Sequence, residues 1–91
     1  MIYTIIYNPK DDESRHLFRQ RIMSMFSTGI SVKKDVYLVA VDNDQTPVNQ
    51  FKDIVQRCAS RGDSVIVAPV ARGIGVKGYP EDLKQWLEAN I

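Results

Sequence analysis

The chain has 91 residues, 44% hydrophobic and 25% charged, with a formal net charge of +1; this describes one globular domain over residues 1–91, too short for two cores and too apolar for disorder. A near-neutral total neither demands nor excludes nucleic acid, because phosphate binding needs a local basic patch rather than a basic sum. The lone cysteine, Cys58, excludes an internal disulfide and a thiolate metal site within the chain, and reads as a small packing hydrophobe.

The first stretch, Ile2 to Tyr7, is a run of β-branched and aromatic residues closed by the turn pair Asn8-Pro9, and predicts a strand. It carries no basic lead before Lys10, which argues against a secretory signal. The longest uncharged segment, Ile22 to Val32, falls short of the ~18 residues a membrane span needs. A cytoplasmic protein with no membrane partner is the expectation. Asp11-Asp12-Glu13-Ser14 then supplies acidic residues for a helix start, and Phe18, Ile22 and Met25 recur at helical spacing with Phe26 beside them, ending near Ser27 to Gly29. Ile30–Val32 and Val36–Val41 read as strands joined by the tight polar connection Lys33-Lys34-Asp35.

Thr46-Pro47 opens a second helix, threonine as N-cap and proline where a missing N–H costs nothing. Val48, Phe51, Ile54, Val55 and Cys58 form its apolar face, with Gly62 as its stop. Val65 to Val70 is a fourth strand, placed at a sheet edge by Pro69, which cannot donate to a ladder. After a stretch holding Gly73, Gly75 and Gly78, a helical tail over 79–91 begins around Pro80 and presents Leu83, Trp86 and Leu87 on one side.

Strand, helix, strand, strand, helix, strand is the split βαβ order, so the expected fold is α+β, a ferredoxin-like βαββαβ sandwich with an additional C-terminal helix. Its first and third strands are central and its second and fourth are edges. A parallel open sheet would need a crossover helix between the second and third strands, for which Lys33 to Asp35 is far too short. Three strands are apolar on both faces: Ile2 and Ile6 oppose Tyr3, Ile5 and Tyr7; Val36, Leu38 and Ala40 oppose Tyr37, Val39 and Val41; Val65 and Val67 oppose Ile66, Ala68 and Val70. Something must cover the second face, either the C-terminal helix folding back or a second subunit. One short helix is too little for the whole face, so a sheet-to-sheet homodimer is expected, with Tyr3, Ile5, Tyr7, Tyr37 and Val39 as its interface.

The opening strand Ile2-Tyr3-Thr4-Ile5-Ile6-Tyr7, the strand Val36-Tyr37-Leu38-Val39-Ala40-Val41-Asp42, the strand Asp63-Ser64-Val65-Ile66-Val67-Ala68-Pro69-Val70 and the tail Tyr79-Pro80-Glu81-Asp82-Leu83-Lys84-Gln85-Trp86-Leu87 resemble the small CRISPR-associated endoribonuclease family. That family is the partner subunit of the spacer integrase; the chain is more similar still to its stand-alone SinR-like relatives. The resemblance implies the ferredoxin-like fold and a dimer across the sheets. It also implies a divalent-metal aspartate just after the first strand, given by each subunit at the dimer axis, where this chain has Asn8. Asparagine offers one neutral oxygen and no charge, a poor ligand for Mg²⁺. Asp11 and Asp12 are near enough in sequence to substitute, but a helix start explains them more simply. No metal and no catalytic residue is therefore expected, and no cofactor.

The remaining motifs resolve to plain roles. Gly73-Ile74-Gly75-Val76-Lys77-Gly78 matches G-x-G-x-x-G, but the helix opens outside it and too little chain follows for a dinucleotide fold; it reads as a connector whose Arg72 and Lys77 can contact an anion. His16, the single histidine, falls on the polar side of the first helix with Arg19 and Gln20. Basic residues gather as Arg15, Arg19 and Arg21, as Lys33 and Lys34, and as Arg57 and Arg61. Arg15, Arg19, Lys33, Lys34, Arg72 and Lys77 are the candidate binding residues, and a dimer would double them. The function expected first is a homodimeric binding protein without nuclease activity that engages nucleic acid or a protein partner. A metal-dependent endoribonuclease, toxin-like or CRISPR-associated, stands second, and an accessory or inhibitor protein of a phage or mobile element third.

Overall fold

A computed structural model describes residues 2–41, 48–70 and 81–90. The elements run β1 (Ile2–Asn8), α1 (Asp12–Met25), β2 (Ile30–Lys33), β3 (Val36–Ala40), α2 (Val48–Cys58), β4 (Ser64–Pro69) and α3 (Glu81–Asn90). The four strands form one antiparallel sheet in the order β2-β3-β1-β4. This α+β arrangement is consistent with the ferredoxin-like fold, and β4, with its proline, lies at an edge. The expected opening of α2 at Thr46-Pro47, the carboxylates Asp42 and Asp44, and the whole Gly73 to Gly78 connector with Arg72 and Lys77 lie outside the described residues.

Local chemistry sets each boundary. Asp11 caps α1 by accepting from the Ser14 backbone N–H at 2.8 Å, with Asp12 and Glu13 complementing the helix dipole behind it. The helix ends at Met25, earlier than its composition suggests, when Phe26 leaves the helical conformation. In the β2–β3 turn Asp35 takes φ +64°, a conformation aspartate tolerates better than most residues. The expected stop of α2 at Gly62 is corrected: the helix ends at Cys58, and Gly62, at φ +94°, serves the turn in which the Asp63 N–H donates to the Ser60 carbonyl.

Helices α1 and α2 cover one face of the sheet. Tyr7 stacks on Phe18 with ring centroids 3.8 Å apart, Tyr3 stacks on Phe51 at 4.3 Å, and Tyr37 meets the edge of Phe18. Ile5, Ile22, Val39, Val55 and Cys58 complete this core. The sequence expectation is overturned here: Tyr3, Ile5, Tyr7, Tyr37 and Val39 are not a dimer interface, because they are all buried against the chain's own helices. Burying the three tyrosine rings and their neighbours under α1 and α2 removes more apolar area from water than the smaller residues of the other face would.

The opposite face is covered only in part. Leu83 and Leu87 of α3 are buried with Ile2 and Leu38, and Trp86, Ile30, Val32, Ala40 and Val70 pack around them. Trp86 is half-buried and its indole N–H donates to the Thr28 carbonyl at 2.9 Å, pinning α3 to the loop before β2. α3 thus folds back over one half of the second face, the half formed by β2, β3 and the start of β1.

Candidate interaction surface

What α3 leaves open is the other half of that face. Ile6 and Ile66 are direct cross-strand partners between β1 and β4, and they remain 46% and 61% exposed. Val36 pairs with Ile6 from the β3 side, and Thr4 pairs with Ala68; these three are half-buried. Asn8 and Ser64, paired in register and both exposed, bound the stripe with an amide and a hydroxyl. The result is a flat apolar strip with a polar end on a surface otherwise rich in charge.

Asn8 therefore sits on this open face, but its surroundings do not fit a hard cation. The nearby carboxylates are already engaged. Asp63 accepts from the Tyr7 hydroxyl at 2.5 Å, from the Lys10 backbone N–H at 2.9 Å and from the Ser60 backbone N–H at 2.8 Å. Burial tends to raise its pKa, and those three donors outweigh that and hold it below the ordinary aspartate value. Asp11, held low by the Ser14 N–H, is committed to its cap. Among the described residues no group of three or more histidine, cysteine or acidic side chains could hold a metal ion. Asn8 itself contributes one neutral oxygen, and we derive no metal-assisted step from it.

The expected basic residues divide. Arg15 is consumed in structure: its Nε donates to Asp35 at 2.9 Å and its guanidinium also pairs with Asp12, so it docks the β2–β3 turn onto α1. The Asp35 contact, ahead of the opposing effect of desolvation, raises its already high pKa. By fixing that turn, Arg15 ties the loop that carries the exposed Lys33 and Lys34 to α1, on which exposed Arg19 lies one helical turn further on. Arg19 lies near enough to the Tyr37 hydroxyl to oppose the rise that burial imposes on its pKa. Among the described residues, Arg19, Lys33 and Lys34 make no ion pair. His16 is exposed, on the solvent side of α1.

Two features escape a reading of the residues alone. Ile6 and Ile66 as the open pair depend on which face α1 and α2 choose, and the signal for that choice is in β1: one set of alternate positions contains Thr4 and Asn8, the other contains no polar side chain except tyrosine hydroxyls. Met25, placed by its spacing with the core of α1, is instead 57% exposed beside a groove between α1 and α2.

No family model matches the chain, and no curated protein matches it. Among solved structures, the chain is similar to a hypothetical protein from Thermus thermophilus, with 22% identity, coverage of 85% of this chain and 89% of that one, and a TM-score of 0.63. At that identity the likeness concerns the fold. Among the described residues no helix is long and apolar enough to cross a membrane.

Proposed function

We propose that this chain acts as a homodimeric binding protein without nuclease chemistry, self-associating through the half of the sheet that α3 leaves open. The observation that carries the reading is the cross-strand pair Ile6 and Ile66, two large side chains left 46% and 61% exposed in the middle of an apolar strip. A domain of this size buries a modest fraction of its surface, so a second copy laid on that strip adds stability the monomer lacks. The resemblance to the small CRISPR-associated endoribonuclease family, whose members dimerise across their sheets, supports the same contact. Arg19, Lys33 and Lys34, exposed and without an ion pair among the described residues, are doubled in such a dimer and suit a phosphate backbone.

Light scattering coupled to gel filtration tests the reading. The native chain is expected at twice its 10.4 kDa mass, and Ile66→Asp, which puts a charge on an already exposed position, at the single-chain mass with an unchanged circular dichroism spectrum. A native monomer at ~50 µM, a concentration at which micromolar dimers persist, would overturn it.

A further inference from the structure

The groove between α1 and α2 lies on the other side of the molecule from the open strip, and its chemistry is of a different kind. It is lined by Arg21, Ser24 and Met25 from α1 and by Ile54, Arg57 and Cys58 from α2, with a volume of about 290 Å³. Ile54 and Cys58 form an apolar floor, half-buried and buried, and Met25, 57% exposed, lines one wall. Arg21 and Arg57 stand on the rim. Arg21 is held in place by donating to the Cys58 carbonyl at 3.1 Å, at the C-terminal end of α2. The ion pairs among the described residues all belong to Arg15, so no described carboxylate neutralises either rim guanidinium.

From this arrangement we infer that the groove is a docking site for a short acidic segment of a protein partner, one apolar side chain entering between Met25 and Ile54 while flanking carboxylates pair with Arg21 and Arg57. The opening is one helical turn long on each helix, which suits a single anchor residue rather than a whole helix. Methionine and arginine are the residue types that interfaces favour, methionine because its flexible chain fits differently shaped apolar anchors. The guanidinium fork binds a carboxylate bidentately, and the apolar floor beneath it excludes water from the pair. A bare phosphate backbone would use the two cations and leave the Met25–Ile54 floor idle, so a peptide is the better match. The inference goes beyond self-association and is independent of it.

A fluorescein-labelled peptide, Gly-Glu-Glu-Leu-Phe-Glu-Glu-Gly, is the probe, with its lysine-for-glutamate counterpart as control, read by polarisation and by amide shifts in ¹⁵N-labelled protein. Saturable binding with Kd on the order of 100 µM is expected, with shifts at Arg21, Ser24, Met25, Ile54 and Arg57. Arg57→Glu, which breaks no hydrogen bond described in the fold, should weaken the acidic peptide by at least ~10-fold, about 1.4 kcal/mol, and gain the lysine peptide. The Ile66→Asp variant should bind as the native chain does, which separates this site from the dimer contact. Equal binding of both peptides, shifts elsewhere, or absence of saturation by ~1 mM peptide, the range of negligible affinity, would overturn the inference. So would a short RNA that displaces the peptide and shifts the same amides, since that would assign the groove to phosphate.

Discussion

Tyr7 and Asp63 show how much of this fold hangs on single side chains. The Tyr7 ring is sealed against Phe18, and its hydroxyl proton goes to Asp63, with the Ser14 carbonyl 3.1 Å away. Asp63 in turn gathers the backbone of Lys10 and Ser60, so one carboxylate joins the loop after β1 to the loop before β4. Removing the hydroxyl in Tyr7→Phe takes one donor from a solvent-accessible carboxylate, and a loss of about 1 kcal/mol is expected by chemical denaturation. The pH dependence has two limbs. Asp63 lies below its ordinary 3.8 in the folded state, so its contribution is present above that pH and is lost as the pH falls through the lower folded value. Tyr7 is raised above its ordinary 10.0, by burial first and by Asp63 second, so the fold favours the neutral phenol; that contribution is present below pH 10 and is lost as the pH rises beyond it. Asp63→Asn should flatten the acid limb and Tyr7→Phe the alkaline one. Native-like limbs in both variants would mean that other groups govern them.

At the scale of elements, α3 is the piece whose role the residues disclose only by half. Its amphipathic spacing marks Leu83, Trp86 and Leu87 as one face, and the structure buries Leu83 and Leu87, but the indole of Trp86 is half-buried at the rim with its N–H on Thr28. Leu87→Ala should therefore cost about 2–4 kcal/mol, whereas Trp86→Ala, losing a rim contact and one hydrogen bond, should cost about 1–2 kcal/mol. Thermal melts ranking the two the other way would mean that α3 is anchored by its tryptophan. Strand order, the edge position of β4 and the start of α1 are all legible from periodicity, Pro69 and the acidic run at Asp11; the cap that Asp11 makes is not. The facing of the sheet is not, because alternation distinguishes two sets of side chains without saying which set the helices cover. Both sets here are apolar, and Thr4 and Asn8, with Ser64 opposite Asn8 in β4, break the tie. Met25 illustrates the same limit in a helix: i+3 from Ile22 places it near the core, but Phe26 takes the core contact and turns Met25 outward.

For the whole molecule the decisive question is what lies on Ile6 and Ile66, and Asn8 offers a way to ask it. The proposed contact centres two residues along β1 from Asn8, so the two copies of Asn8 flank it on the same face. A carboxylate introduced there by Asn8→Asp adds one negative charge per copy beside the proposed contact, and where the two copies meet a divalent cation relieves the repulsion that the native amides never generate. The metal-free Asn8→Asp dimer is expected to be weaker than the native one, and Mn²⁺ at 100 times its dissociation constant should restore about 2.7 kcal/mol, several degrees in Tm. The native chain should show no such shift and no metal-dependent cleavage of RNA or DNA, since its amides bring no charge to offset the dehydration of the ion. The discriminating variant is Asn8→Asp combined with Ile66→Gln, which removes the apolar contact without adding a second carboxylate on the face that position 8 shares with position 66. Its monomer holds one introduced aspartate at the end of β1, and Mn²⁺ should leave its Tm unmoved, while the concentration dependence of Tm expected of the native chain disappears. An equal Mn²⁺ shift in that monomer would place the new ligand set within one subunit, and a native Tm independent of concentration would mean that the strip of Ile6 and Ile66 is not covered by a second copy of this chain.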